Sequence, residues 1–244
     1  MKTTFFELCA ETLQAARAAE SGGADRIELC SELALGGLTP SPELMAAGIR
    51  ALSIPVNVLI RPRSGNFVFT AEEFVEMRRQ IGQAKEAGAS GVAVGVLLPD
   101  GRVDVERTRA LVELARPMAV TFHRAFDETP DLDEALENVI ETGADNLLTS
   151  GGAANVLSGA ESLARLRQRA AGRIHIIAGG GLRLTSLVEV VRRSGTFSLH
   201  GSLTRDNGAA AREFTPDGLE AEVREAVRLL RSEFRNSHTP LQKI

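Results

Sequence analysis

Residues 56–96 have the sequence VNVLIRPRSGNFVFTAEEFVEMRRQIGQAKEAGASGVAVGV, and this stretch contains one complete unit of a repeated pattern. An apolar run at 56–60 predicts a strand. Thr70, with Glu73 three residues later, predicts a capped helix start, and the helical period ends at Gly88. A second apolar run at 91–96 begins the next strand. A strand, a helix and a strand in this order predict two parallel strands with the helix packed outside the sheet.

The same unit repeats on both sides of this stretch. Strands are predicted at 4–9, 25–30, 56–60, 91–96, 118–122, 146–149, 174–178 and 196–199. Helices are predicted at 10–21, after Ser41-Pro42, at 70–88 and 103–116, after Asp131, at 159–170 and 185–193, and after Thr215-Pro216. Strict alternation of eight strands and eight helices predicts an α/β fold, a single TIM (β/α)8 barrel over residues 1–235 with a flexible tail at 236–244. A doubly wound open sheet is the alternative, but it usually needs fewer units.

Composition argues against two classes of partner. The 244 residues carry a net charge of −4 and include neither Trp nor Tyr, which argues against a nucleic-acid surface. No apolar run approaches the ~20 residues that span a bilayer, so no membrane partner is expected. The first residues lack the apolar core of a signal peptide, so we expect a cytoplasmic protein in which Cys9 and Cys30 are reduced.

The first two strands end in similar tetrapeptides, Phe6-Glu7-Leu8-Cys9 and Ile27-Glu28-Leu29-Cys30. Side chains alternate along a strand, so each Glu shares a face with its Cys. In matching register, two carboxylates and two thiols cluster at the barrel mouth. The carboxylates could divide acid and base roles, and the thiolates could hold Cu(I). The alternative is buried thiols beside carboxylates that are paired to arginine.

Basic side chains follow the third and fifth strands. Arg61 and Arg63 suit bidentate binding of a carboxylate or phosphate, although Arg61 could instead neutralise Glu7 or Glu28. The fifth strand ends in Thr121-Phe122-His123-Arg124-Ala125-Phe126-Asp127, the densest polar cluster in the chain. There Arg124 is a third anion ligand, and His123 and Asp127 are catalytic candidates, since an ordinary histidine pKa of ~6.5 suits proton transfer.

Glycine-containing turns follow the last three strands. Glycine lets backbone amides approach an anion, and the loops after strands seven and eight are the usual phosphate cradle of this fold. The anion-binding candidates in these turns are Ser150, Gly151, Gly180, Gly181, His200, Gly201 and Ser202. The alternative is that these residues only form tight strand-to-helix turns.

Together these segments resemble the CutC family, often called copper homeostasis proteins. The resemblance rests on Glu7–Ala10, Asp25–Cys30, Gly36–Ser41, Ile60–Arg63, Thr121–Asp127 and Leu148–Gly152. It implies a TIM barrel, a cytoplasmic location, a homo-oligomer and a connection with copper. It also implies that Cys9 and Cys30 are the Cu(I) ligands.

The chain departs from the family pattern at five positions. After Arg63 the family usually has Gly-Gly-Asp-Phe, where this chain has Ser64-Gly65-Asn66-Phe67. The other three departures are Asn146, usually Arg, Ser186, usually Asn, and Ser198, where an acidic residue is usual. Most of these lie at strands six to eight, so we expect the ligand bound there to differ from the family's.

Three functions remain open. The first is copper binding or handling through Cys9 and Cys30. The second is an isomerase or lyase of a small anionic or phosphorylated metabolite, with arginines 61, 63 and 124 holding the anion and Glu7, Glu28 and His123 moving protons. The third is a non-catalytic barrel that binds a metabolite. The resemblance favours copper, whereas three arginines near one site favour an anion, because cations repel a metal ion.

Overall fold

A computed structural model describes residues 4–203 and 215–238. The strands are β1 (Phe5–Ala10), β2 (Arg26–Leu29), β3 (Val56–Leu59), β4 (Gly91–Val94), β5 (Ala119–Phe122), β6 (Asn146–Thr149), β7 (His175–Gly179) and β8 (Ser198–Gly201). The helices are α1 (Leu13–Gly22), α2 (Pro42–Ala51), α3 (Ala71–Ala87), α4 (Val105–Ala115), α5 (Leu132–Glu141), α6 (Ala160–Ala170), α7 (Leu187–Ser194) and α8 (Pro216–His238). All neighbouring strands are parallel, and β8 pairs with β1, which closes the barrel and confirms the predicted fold.

Local capping explains why several helix starts were predictable. Thr70 and Glu73 form the reciprocal capping box expected at the start of α3. The Ser41 hydroxyl accepts the Leu44 amide at the start of α2, and the Asp131 carboxylate accepts the first amides of α5. In each case the cap satisfies a backbone donor that has no partner within the helix.

The ends of the chain's last elements differ from the prediction. Strand β8 lies two residues further along than predicted, because His200 and Gly201 continue the strand despite ending the apolar run. Helix α8 continues to His238, three residues past the predicted domain boundary. The remaining predicted tail, 239–244, lies outside the described residues.

Large apolar side chains fill the space between the barrel and its helices. Phe6, Phe122 and Phe126 are fully buried, and each such side chain contributes about 1.5–3 kcal/mol of stability. Outside the barrel, the last helix, α8, packs against the first helix, α1. The two helices are so close that a Cβ added to Gly22 of α1 would lie 2.7 Å from the Val223 Cβ of α8. None of the described helices has both the length and the apolar character that crossing a membrane requires.

The pairing of β1 with β2 is displaced by two residues from the matching register. Glu7 lies opposite Arg26, and Cys9 lies opposite Glu28. A closed barrel requires its strands to be staggered, and a shift of two residues keeps each side chain on its original face. The two carboxylates and two thiols therefore still lie on one side of the strands, but Arg26 now faces Glu7.

Candidate functional site

A cavity of about 470 Å³ lies at the carboxyl ends of the strands, where this fold places ligands. Two groups of polar side chains line it. The thiol half consists of Cys9, Glu28 and His200, and the basic half consists of Arg61, His123 and Arg124. The acidic residues Asp127 and Glu128 also line the cavity, next to the basic half. Among the predicted glycine-turn residues, Gly180, Gly181, Gly201 and Ser202 also line the cavity.

The thiol half brings possible metal ligands together. The Cys9 Sγ lies 3.3 Å from the Cys30 Sγ and 3.6 Å from the Glu28 Oε1. One donor atom each from Cys9, Glu28 and His200 lies within 4.8 Å of the others, so these three residues could hold a metal ion. Both cysteines are free thiols, and the fully buried Cys30 lies behind Cys9 and donates to the Ala10 carbonyl.

Beneath the thiol half, the Glu7 carboxylate is neutralised inside the protein. It forms an ion pair with Arg26, and its Oε1 lies 2.7 Å from the His200 Nδ1. Burial raises the pKa of Glu7, but the charge of Arg26 and the hydrogen bond with His200 outweigh it and hold the pKa at about 2. The expected alternative, in which Arg61 neutralises a glutamate, is wrong, because Arg26 has that role.

The three residues of the thiol half all have raised pKa values. Burial raises the pKa of Glu28, and the nearby negative charge of Glu7 adds to the effect. The hydrogen bond with Cys30 and burial raise the pKa of the Cys9 thiol. For His200, burial lowers the pKa, but the charges of Glu28 and Glu7 outweigh it. His200, predicted as an anion ligand, is thus occupied by carboxylates, and a metal ion would displace protons here.

In the basic half, Arg61 is a buried cation whose acceptors are all backbone carbonyls. Its Nη1 donates to Leu35 and Gly37 and its Nη2 to Gly65, while its Nε has no hydrogen-bond partner among the described residues. The guanidinium also lies over the Phe67 ring, 4.7 Å from its centre.

The structure does not bring Arg63 to the cavity. Its Nε donates to Glu73, and its remaining donors bind the carbonyls of Ser64, Asn66 and Val68. Asn66, one of the departures from the family pattern, adds its side-chain oxygen to this set. Arg63 therefore stabilises the loop after β3.

His123 lies in the cavity wall as a neutral donor. Its Nδ1 accepts the Ala125 amide, so in the neutral ring the proton is on Nε2, which is buried and has no acceptor among the described residues. Burial and the positive charge of Arg61 lower its pKa to about 3. Proton transfer was predicted from an ordinary pKa of ~6.5, which this environment does not preserve.

Asp127 organises the loop after β6. Its carboxylate accepts the Arg124 Nε at 2.8 Å and the backbone amides of Ser150 and Gly152 at 3.0 Å. Ser150 is fully buried and donates to the Ala153 carbonyl, so neither it nor Gly151 lines the cavity. Asp127, predicted as a catalytic group, lines the cavity, and these contacts join it to Arg124 and to the loop after β6.

Two of the departures from the family pattern lie away from the mouth. Asn146 and Ser198 are the first residues of β6 and β8, so they lie at the amino-terminal end of the barrel. The expectation that these two positions shape the ligand at the mouth is therefore not supported by their location. Ser186 lies on the mouth side, in the turn between β7 and α7, where its hydroxyl donates to the Arg183 carbonyl, and it does not line the cavity.

Sequence reasoning missed Arg26 as a member of the site. The signal was present, because Arg26 and Glu28 are two residues apart on one strand and share a face. The sequence alone could not show that Glu7 is the ion-pair partner of Arg26, because that pairing depends on the stagger between β1 and β2.

Comparisons with known proteins agree with this architecture. The model of the CutC family matches residues 4–205. The chain is 44% identical to a family protein CutC of Caulobacter vibrioides over 237 residues, which cover 93% of this chain and 96% of that protein. It is 43% identical to a family protein CutC of Chromobacterium violaceum over 213 residues, covering 87% and 86% respectively.

A solved structure gives the same result. It is that of CutC from Streptococcus agalactiae, described with a proposed role in copper homeostasis, and it matches with a TM-score of 0.78 at 29% identity. The match covers 82% of this chain and 98% of that one. From its sequence, its closed barrel and these relatives, the chain belongs to the CutC family.

Proposed function

We propose that this chain binds Cu(I) through Cys9 and Cys30, with Glu28 and His200 as neighbouring ligands. The observation that carries the proposal is the pair of sulfur atoms 3.3 Å apart, one of them in the wall of the cavity. Thiolates are soft ligands that select Cu(I), and imidazole also suits copper. The resemblance to a protein with a proposed copper homeostasis role supports the choice of metal.

The spacing of the donors fits a bent site better than a linear one. Two metal–thiolate bonds of about 2.3 Å would place linearly opposed sulfurs about 4.6 Å apart. The observed separation of 3.3 Å would have to increase by more than 1 Å to reach that arrangement. At the present spacing, both sulfurs could contact one ion and leave a side of it open to Glu28 or His200.

The charges near the thiols also permit a cation. The Arg26 charge is already neutralised by Glu7, and the Arg124 charge by Asp127. Among the arginines that line the cavity, Arg61 alone forms no ion pair with a described carboxylate, so the repulsion of a metal ion comes mainly from this one side chain.

The experiment is a competition between the reduced full chain and a Cu(I) chelator. Losing a residue that merely supports a metal ligand weakens binding about 10–100-fold, so losing a ligand in Cys9→Ser or Cys30→Ser should weaken it at least about 100-fold. His175→Gln is the matched control, because His175 lies at the opposite end of β7 from the cavity. Unchanged affinity in both serine variants would exclude the paired-thiol site.

The resemblance also leads us to propose a cytoplasmic location and a homo-oligomeric state. Fractionation of cells and the mass of the purified protein in solution are the direct measurements of these two properties.

A further inference from the structure

We propose that the basic half of the cavity binds the oxyanion group, a carboxylate or a phosphate, of a small organic molecule, independently of the metal. The proposal rests on two buried donors in one cavity wall that have no acceptor among the described residues, the Arg61 Nε and the His123 Nε2. An anion site here belongs equally to the enzymatic alternative and to the alternative of a non-catalytic binding barrel.

Both donors are deeply buried, which makes their lack of a partner informative. Only 7% of Arg61 and 5% of His123 is exposed to solvent. Leaving a buried polar group without a hydrogen bond costs about 1–3 kcal/mol, and most such groups in folded proteins are paired. An acceptor that reached either of these donors from the cavity would remove this cost for that side chain.

The charge of Arg61 sets the kind of acceptor. Its three protein partners are neutral carbonyls. Burial lowers the pKa of Arg61, and the charge of Glu128, which also lines the cavity, opposes this shift without forming an ion pair with Arg61. The guanidinium therefore remains a buried cation without a paired carboxylate, which an oxyanion would supply. A metal ion at the same place would be repelled.

His123 and Arg124 complete a set of three donors. His123 donates from Nε2 while uncharged, because its Nδ1 is occupied by the Ala125 amide. The Arg124 Nε is held by Asp127 and its Nη2 lies 3.4 Å from the Ser150 Oγ, whereas its Nη1 has no partner among the described residues. The unpaired cation of Arg61, the free Nη1 donor of an Arg124 that is already paired with Asp127, and the neutral donor of His123 suit the oxygens of a carboxylate or phosphate group.

The donors are held in place before any ligand enters. Phe67 packs against both Arg61 and His123, and the centres of the Phe67 and His123 rings are 5.0 Å apart. A Cβ on Gly95 would lie 2.5 Å from the His123 ring, and one on Gly180 would lie 2.8 Å from the Arg124 guanidinium, so both glycines make room for these side chains. Preorganised donors lose little conformational entropy on binding, and the cavity volume of about 470 Å³ suits a small molecule.

The test is calorimetric titration of the reduced full chain at constant ionic strength, with inorganic phosphate in one arm and succinate in the other. We expect measurable binding in at least one arm, and the tighter arm identifies the group. Loss of a charged hydrogen bond in Arg61→Gln or Arg124→Gln should weaken binding about tenfold or more. Arg109→Gln is the control, an exposed arginine on α4 that pairs with Glu141 and lies outside the cavity, and its affinity should not change.

Two further measurements protect the result against misfolding of a variant. His123→Asn keeps an acceptor for the Ala125 amide but removes the Nε2 donor, so it should also weaken binding. In the unmodified protein, the NMR signal of the His123 Nε2 proton should shift when the anion is added. No binding in either arm, or equal weakening in Arg109→Gln, would overturn the proposal, while Cys9→Ser should leave anion affinity intact.

Discussion

The two halves of the cavity differ in where their charges are balanced. Beneath the thiol half, the Glu7 carboxylate is balanced inside the protein by Arg26 and His200. In the basic half, Arg61 has only carbonyl partners and His123 has an unused donor. The polar groups of the thiol half are therefore paired within the protein, and a metal would replace only protons there. The basic half, in contrast, has hydrogen-bond donors without an acceptor. If both proposals hold, one barrel mouth would bind a cation on one side and an anion on the other.

The largest expected effect is on stability, when the buried ion pair between Arg26 and Glu7 beneath the thiol half is broken. Arg26→Met leaves the Glu7 carboxylate buried with only His200 beside it, and breaking a buried ion pair costs about 3–5 kcal/mol of unfolding free energy. We expect the lower end of this range, because His200 remains. Urea denaturation measures it, with Arg109→Met as the control, whose exposed ion pair with Glu141 contributes about 1 kcal/mol or less. Equal losses of unfolding free energy in the two variants would mean that the buried Arg26–Glu7 pair stabilises the protein no more than an exposed ion pair does.

The second test is the pH dependence of the two binding events. The pKa of the Cys9 thiol is raised by the Cys30 hydrogen bond and by burial, so a metal must displace its proton. Cu(I) affinity should therefore rise about tenfold per pH unit for each proton released, which is about 100-fold per proton from pH 6 to pH 8. Binding of succinate should stay nearly constant over this range, since the pKa of His123 is about 3 and the arginines remain charged. Parallel pH profiles for the two ligands would show that they share ionising groups.

A third prediction concerns stability and the buried neutral His123. Its pKa is about 3 in the folded protein and ~6.5 when unfolded, so between these values the unfolded chain binds a proton that the folded chain does not. The unfolding free energy should thus fall as the pH drops below ~6.5, by about 2 kcal/mol at pH 5 from this group. The measurement is the difference between the unmodified protein and His123→Asn at pH 5 and pH 7.5. A difference that does not change with pH would mean that His123 titrates normally.

The smallest effect is expected at the loop after β3. Asn66→Asp restores the carboxylate usual in the family and places it beside the Arg63 guanidinium. Stability should rise by about 1 kcal/mol or less, as for an exposed ion pair, and succinate affinity should stay within about twofold. Urea denaturation and calorimetry give both values. A large change in affinity would mean that Arg63 reaches the ligand after all.

The local parts of the fold were predictable from sequence. The capping box at Thr70, the Ser41-Pro42 helix start and the Asp131 cap depend on residues within one helical turn of each other, and all three were found where expected. The end of β8 was misplaced because His200 and Gly201 interrupt the apolar run, although their neighbours on β1 hold them in the strand.

The candidate site was predictable in position and only partly in composition. Strand ends carry the polar residues, so Cys9, Glu28, Arg61 and His123 were correctly expected near the mouth. Arg63 was expected there too, but Glu73 and the loop carbonyls hold it outside. Arg61 and Arg63 both follow β3 but have different surroundings. The conformation of the folded loop determines which of them reaches the cavity.

The sequence by itself determined the number of β–α units, their order and the residue types at each strand end, because periodicity and capping are local. Tertiary structure alone decided the partners and the protonation of those residues. The stagger of a closed barrel placed Arg26 against Glu7 and Cys9 against Glu28. Burial then set the pKa of His123 at about 3, because desolvation depends on every element packed around the group and not on its neighbours in sequence.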